Sequence, residues 1–306
     1  MRWKKLGQVF SASGQASWMH SHAYLPTAYQ IESDRIRVFL AFRDEANVGR
    51  IGWIDVAAEN PTRVVAISEQ PALDIGRPGA FDDNGATPLS VVQDGDRLRM
   101  YYAGWQLTPR ARYLLFTGLA LSHDGGRSFV RYQETPVLDR SPSEFVIRSG
   151  AGVLKDPESG IWKVWYAAGS SLVDISGKAV PSYNLVYAES EDGIVWPSTG
   201  TVALTPHRPD EYGFGRPHVW RKGELYEMWY SVRSHSKNYQ IGYATSRDGL
   251  DWERRDAEGG LPRSDAGWDA DMTCFASLIE NEHGCFIFYN GNGYGSTGVG
   301  VAQRID

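Results

Sequence analysis

The sequence predicts an all-β protein: a five-bladed β-propeller of four-stranded antiparallel blades, its ring closed by the N-terminal strand in the last blade. Two repeats carry this expectation, an Asp-Gly hairpin written three times and an apolar strand written five times. The hairpins are Ser122-His123-Asp124-Gly125-Gly126-Arg127-Ser128-Phe129, Ser190-Glu191-Asp192-Gly193-Ile194-Val195-Trp196 and Ser246-Arg247-Asp248-Gly249-Leu250-Asp251-Trp252. In each, an alternating apolar strand runs into the turn and restarts on an aromatic residue. Gly takes the positive φ of the tight turn, and Asp hydrogen-bonds its own backbone. A hairpin that recurs along one chain marks a repeat architecture.

Aligning the repeats by their second strands gives Arg37-Val38-Phe39-Leu40-Ala41-Phe42, Arg99-Met100-Tyr101-Tyr102-Ala103-Gly104, Lys163-Val164-Trp165-Tyr166-Ala167-Ala168, Glu227-Met228-Trp229-Tyr230-Ser231 and Cys285-Phe286-Ile287-Phe288-Tyr289-Asn290. A short apolar strand and a polar turn precede each, and a third strand follows. Four copies then add a fourth strand, whereas the fifth runs out at Asp306. Trp3-Lys4-Lys5-Leu6-Gly7-Gln8-Val9-Phe10 is the expected donor of the missing strand, because closure between chain ends limits exposed sheet edges. The whole chain, 1–306, then reads as a single domain.

Composition agrees with many short strands and tight turns: 11 Trp, 16 Tyr, 11 Phe and 33 Gly in 306 residues, with no long helical period. The net charge of −6, without a Lys/Arg block, argues against nucleic acid and anionic membranes as partners. The N-terminus leads into no apolar run of signal-peptide length, and no later segment could span a bilayer. Cys274 and Cys285 fall out of register on adjacent strands, which suits reduced thiols and a cytoplasmic location.

Ser122-x-Asp124-x-Gly126-x-x-Phe129 matches the Asp-box pattern of propeller hairpins, and the other two copies are one residue shorter. Asp124, Asp192 and Asp248 are therefore assigned a structural role on the rim. Chemistry is expected elsewhere, where the first strands of the blades converge on the central channel. Their entrances offer His20 and His22, Asp82 and Asp83, Glu144 and Arg148, Glu211, Arg216 and His218, and Asp269 and Asp271. Clustered charges of this kind are paired or functional, because neighbouring carboxylates raise one another's pKa.

With Asp83-Asn84-Gly85-Ala86-Thr87-Pro88 opening blade two, Glu144 opening blade three and Gly215-Arg216-Pro217-His218 in blade four, the chain resembles the five-bladed propeller glycosidases. That superfamily includes arabinanases, xylosidases, invertases and mannoside phosphorylases. The resemblance covers the whole chain as architecture but only these residues as motif. It implies a small carbohydrate or glycan substrate, Glu144 as general acid and Asp83 as the carboxylate that tunes it. The family's base is a blade-one Asp, yet here blade one reads Ser21-His22-Ala23-Tyr24. The invertase-type Asn-Asp-Pro-Asn and Arg-Asp-Pro signatures are also absent. His22, Asp269 or Asp271 would then activate water, or an anionic nucleophile would need no base. An inverting pair stands about 6.5 to 9.5 Å apart, a spacing that two different blades can supply.

Glu144 has a second reading, a salt bridge to Arg148 or Arg216. Arg148 and Arg216 occupy equivalent blade positions and are expected to face the channel. There they clamp a sugar carboxylate or phosphate by bidentate bonds, or neutralise Asp82, Asp83 and Glu144. Arg43, closing the second strand of blade one, is a further candidate, and Asp82 and Asp269 are candidate substrate contacts. His22 and His218 lack the close ligand spacing of a metal site, so neither metal nor cofactor is expected; ligand hydroxyls suit them better. Gly291-Asn292-Gly293-Tyr294-Gly295-Ser296-Thr297-Gly298 joins strand to strand, which excludes a dinucleotide loop. It reads as a wide hairpin at the channel mouth, with Asn290, Asn292 and Tyr294 as sugar contacts. The inserts Gln106 to Phe116 and Ser170 to Tyr183 are expected to shape the same mouth. The expected function is a carbohydrate-active, glycoside hydrolase-like enzyme that works in the central channel with Glu144 as general acid; the alternatives are a phosphorylase or transferase that uses channel arginines, and a non-catalytic glycan-binding propeller.

Overall fold

The computed structural model describes every residue except Lys237 and Asp306. Among the described residues the chain is all-β, with two single-turn helices, α1 (Asp256–Gly259) and α2 (Asn292–Gly295). After β1 (Trp3–Phe10), the strands β2 (Ser21–Glu32), β3 (Arg35–Arg43), β4 (Gly49–Ala57) and β5 (Val64–Ile67) form an antiparallel meander. A second meander follows in β6 (Ala86–Asp94), β7 (Arg97–Gln106), β8 (Leu114–Ser122) and β9 (Val130–Arg131). The same pattern returns in β10 (Ile147–Lys155), β11 (Trp162–Ile175), β12 (Lys178–Ser190) and β13 (Thr201–Leu204). It returns again in β14 (Glu211–Lys222), β15 (Leu225–Ser234), β16 (Gln240–Ser246) and β17 (Glu253–Arg254). The last sheet runs β18 (Cys274–Asn281), β19 (Gly284–Asn290), β20 (Val299–Arg304) and then β1.

The pairing of β1 with β20, from Trp3 opposite Arg304 to Phe10 opposite Val299, was expected from the sequence. Two side chains fasten it: the Trp3 indole donates to the Gly259 carbonyl at 3.0 Å, and Lys5 lies 2.6 Å from Asp269.

The second strands β3, β7, β15 and β19 are almost wholly buried, as is β11 from Val164 to Ala168, because a neighbouring sheet covers each face. Strands buried on both faces read as continuous apolar runs, which is why they were the clearest repeat. The core accordingly lies between sheets. Phe39 of β3, for example, packs with Met100, Tyr102 and Phe129 of the following meander.

The Asp-Gly hairpins add polar fasteners at these seams. Asp124 accepts from the amides of Arg127 and Ser128, and Ser122 accepts from that of Gly126. Asp192 and Asp248 repeat the pattern. The turn carbonyls then accept from the preceding sheet: Gly193 from the Tyr101 hydroxyl at 2.8 Å and Gly249 from the Trp165 indole at 2.7 Å.

The first strands β2, β6, β10, β14 and β18 lie side by side, β2 against both β6 and β18. Each bulges at the same register: between Tyr24 and Thr27, Pro88 and Ser90, Ser149 and Gly152, Gly215 and His218, and Cys274 and Ser277. Leu25, Gly150, Arg216 and Phe275 are left-handed there, with φ of 55°, 72°, 49° and 58°. A bulge re-aims a side chain, and a non-glycine residue at positive φ is a local cost held by its surroundings. At Leu25 and Phe275 the surroundings are visible: Asn290 accepts from the Leu25 amide, and Ser231 accepts from the Phe275 amide. Cys274 and Cys285 are free thiols. Among the described residues no helix is long and apolar enough to cross a membrane.

Candidate functional site

The bulges surround a cavity of about 450 Å³, with Leu25, Leu89, Gly150, Arg216 and Phe275 all on its wall. Second-strand ends supply Arg43, Trp105 and Arg233, while the inserts supply Arg112, Tyr113 and Tyr183, as expected of segments shaping the mouth. Tyr239 and Tyr294 complete an aromatic side, their rings 5.2 Å apart and Tyr239 also 5.9 Å from Phe275. The volume is of ligand-pocket size. An aromatic wall with a few polar groups is the usual means of gripping a carbohydrate's C–H face while reaching its hydroxyls.

The charges on this wall have one sign. Among the described residues that line it are four arginines and no Asp or Glu. Arg216 is buried, donating to the carbonyls of Pro26 and Ala276 and to the Thr27 hydroxyl. Burial lowers its pKa to about 9, so it keeps its proton at neutral pH. Arg233 is also buried; it donates to the Pro181 carbonyl and sits 4.8 Å, 4.6 Å and 5.5 Å from the rings of Tyr183, Tyr212 and Tyr239. Arg43 lies 4.8 Å from the Tyr24 ring and 3.4 Å from His22 Nε2. Burial, then Arg43, lowers the His22 pKa to about 4, and burial, then Arg216, lowers that of His218 to about 3. Both imidazoles are therefore neutral at pH 7.

The carboxylates expected in the channel are instead sequestered between the sheets. Glu144 is paired with Arg148 at 2.6 Å and accepts from the Tyr166 hydroxyl at 3.0 Å. Arg148 further donates to the carbonyls of Asp139 and Pro197, so neither member of the pair reaches the cavity. Asp82 is fully buried against Arg131 at 2.6 Å, and Asp269 holds Lys5 and the Tyr289 hydroxyl. Glu211 holds Arg254 at 2.8 Å. The physical reason is shared: a buried carboxylate is stable only beside cations and donors. The cations that hold Asp82, Glu211 and Asp269 stand on the outer strands, Arg131 on β9, Arg254 on β17 and Lys5 on β1.

Other expectations are corrected by the same geometry. Asp83 accepts from the Gly79 amide in its own loop and leaves the cavity to Asn84 and Gly85. Asp271 is exposed and off the cavity wall. Asn290 is buried with its amide spent on the Leu25 amide and the carbonyls of Ala23 and Gly298. Asn292 caps the Asp271 and Met272 amides. His22, His218 and Arg148 lie outside the lining, whereas Arg43, Arg216 and Tyr294 belong to it. No metal-holding group of His, Cys, Asp and Glu occurs among the described residues.

Arg233, Trp105 and Tyr239 were missed. A signal for Arg233 existed: it follows Ser231-Val232 as Arg43 follows Ala41-Phe42, one register shared by β15 and β3.

No family model matches the chain. It is 33% identical over 302 residues to "uncharacterized protein Rv1502" of Mycobacterium tuberculosis, across 99% of each chain, and equally so to MT1551 of a second strain. Among solved structures it is similar to a "glycoside hydrolase" with a TM-score of 0.75 and 17% identity, over 99% of this chain and 92% of the other. A "thermostable family-43 glycoside hydrolase" gives 0.70 and 16%, over 92% and 88%. A structure from "the GH130 family of mannoside phosphorylases" gives 0.72 and 12%, over 98% and 93%. At such identities the likeness is one of fold, that of the β-propeller glycosidases.

Proposed function

The chain belongs to the family of Mycobacterium tuberculosis Rv1502, and from its β-propeller glycosidase fold we propose that it is a carbohydrate-active, glycosidase-like enzyme whose substrate occupies the central cavity. Five four-stranded blades then make one domain over residues 1–306, and the β1–β20 pairing supports closure of the ring by the N-terminal strand. The free, buried thiols of Cys274 and Cys285 suit the reducing interior of a cell.

One observation carries the assignment. The bulges of all the inner strands open onto a single cavity that joins an aromatic side, Trp105, Tyr239 and Tyr294, to guanidinium donors. A sugar stacks its C–H face on the first and offers hydroxyls to the second. A second reading concerns the reaction. Without an Asp or Glu among the described lining residues, glycosyl transfer to an acceptor that is already an anion fits better than hydrolysis by two carboxylates.

The purified protein incubated with a panel of glycosides, with and without inorganic phosphate, tests both. Turnover of any glycoside supports the enzyme, and dependence on an anionic acceptor supports transfer. Hydrolysis at an unchanged rate without phosphate removes the second reading. Binding without turnover across the panel replaces the enzyme with a glycan-binding propeller.

A further inference from the structure

We propose that the central cavity selects sugars that carry their own oxyanion, a carboxylate or a phosphate ester on the ring, and that Arg216, Arg233 and Arg43 bind that group. This rests on the carbohydrate reading and names the class of sugar.

Buried arginines elsewhere in the protein all meet a carboxylate: Arg37 meets Asp55 at 2.7 Å, Arg99 meets Asp94 at 2.7 Å, Arg148 meets Glu144 and Arg254 meets Glu211. Arg216 and Arg233 are as deeply buried, at 3% and 4% exposure, yet among the described residues neither is paired with any carboxylate. An unpaired buried charge is costly, and the usual remedy is an opposite charge with matching hydrogen bonds. On the cavity wall that partner has to come from outside. The protein's net charge is −6, so the positive wall is a local arrangement and not a reflection of overall composition.

The same wall indicates that the anion is borne by a larger molecule. Arg216 and Arg233 stand on the paired strands β14 and β15, while Arg43 lies on β3. Tyr183, Tyr239 and Phe275 lie beside the first two. An inorganic anion would fill a small part of about 450 Å³ and leave these aromatic faces uncovered. A ring with one carboxylate or phosphate ester meets both surfaces at once, the oxyanion taken by a planar fork and the ring by the phenols.

Isothermal titration with glucuronic acid, glucose 6-phosphate, glucose and inorganic phosphate tests the inference. At least one charged sugar is expected to bind about ten-fold or more tightly than glucose, equivalent to about 1.4 kcal/mol. Arg233→Gln and Arg43→Gln are expected to erase that advantage, weakening the charged sugar about ten-fold more than they weaken glucose. Arg112→Gln, an exposed substitution at the mouth, keeps the test informative where Arg233→Gln fails to fold, and it lowers the same preference by a smaller factor. Equal affinity for charged and neutral sugars overturns the inference and leaves the carbohydrate assignment standing. Inorganic phosphate binding as tightly as the sugar acids also overturns it, because the anion site then belongs to a free acceptor. Absence of binding by every sugar removes the inference and the carbohydrate assignment together.

Discussion

Glu144 and Arg148 form an ion pair at 2.6 Å with both side chains buried away from the central cavity. Removing one partner of such a pair leaves the other charged and under-solvated, which costs about 3 kcal/mol or more. Glu144→Gln is therefore expected to lower stability by that order in urea denaturation, while carbohydrate binding in the cavity changes little. A variant with native stability and no turnover would return Glu144 to the chemistry.

Trp105 presents its ring at the cavity, edge-on to Tyr113 at 5.1 Å, and is only partly buried. Trp105→Ala is expected to weaken carbohydrate binding by about ten-fold, since an aromatic contact of this kind contributes on the order of 1 kcal/mol. Thermal stability should fall far less than in Glu144→Gln. Titration calorimetry and a melting curve on one preparation separate the two effects.

Acid should destabilise the fold in two stages. His22 and His218 have folded pKa values near 4 and 3 against an ordinary 6.5, lowered by burial and then by Arg43 and Arg216. Between pH 6.5 and about 4 the unfolded chain binds protons that the folded chain refuses, so stability falls as pH drops. A second loss follows below pH 3.8. Burial opposes ionisation of Asp124, but bonds from Ser128, Ser122 and the turn amides hold it at about 2. That stabilisation disappears as pH approaches 2. Urea midpoints measured from pH 7.5 to 4.5 should decline, and more gently in His218→Asn. A flat profile across that range contradicts the assignment of neutral imidazoles.

The N-terminal strand should be indispensable. Deleting residues 1–10 uncovers the β20 edge and strips Asp269 of Lys5. An open apolar edge promotes association, so the truncated chain is expected to melt markedly lower and to aggregate in light scattering. Asp269→Asn, which keeps the strand but weakens the tether to Lys5 and the bond from the Tyr289 hydroxyl, should show an intermediate loss. Native melting of the truncated chain would mean that β1 contributes nothing to the fold.

Much of the architecture was legible in the residues themselves. Val38-Phe39-Leu40 and its counterparts repeat because every second strand is covered on both faces, and Ser-x-Asp-Gly repeats because a tight turn needs both a left-handed residue and a backbone acceptor. Even the joining of residues 3–10 to the last sheet followed from counting strands against repeats. Local chemistry is enough for such features, since each is satisfied within a few neighbouring positions.

The direction in which charged side chains point was decided elsewhere. Glu144 and Arg216 both sit on or beside an inner strand, yet the first is held by Arg148 and Tyr166 off the cavity while the second stands on its wall. The bulge that gives Arg216 a φ of 49° cannot be read from strand periodicity, whereas Arg148 was one of the two salt-bridge partners that the sequence offered for Glu144. Burial cost allows a carboxylate only where cations and donors already converge. That convergence draws on segments as distant as Lys5 and Asp269. The sequence alone therefore determined the sheets and their order, whereas tertiary packing chose which charges pair with one another and which face the ligand.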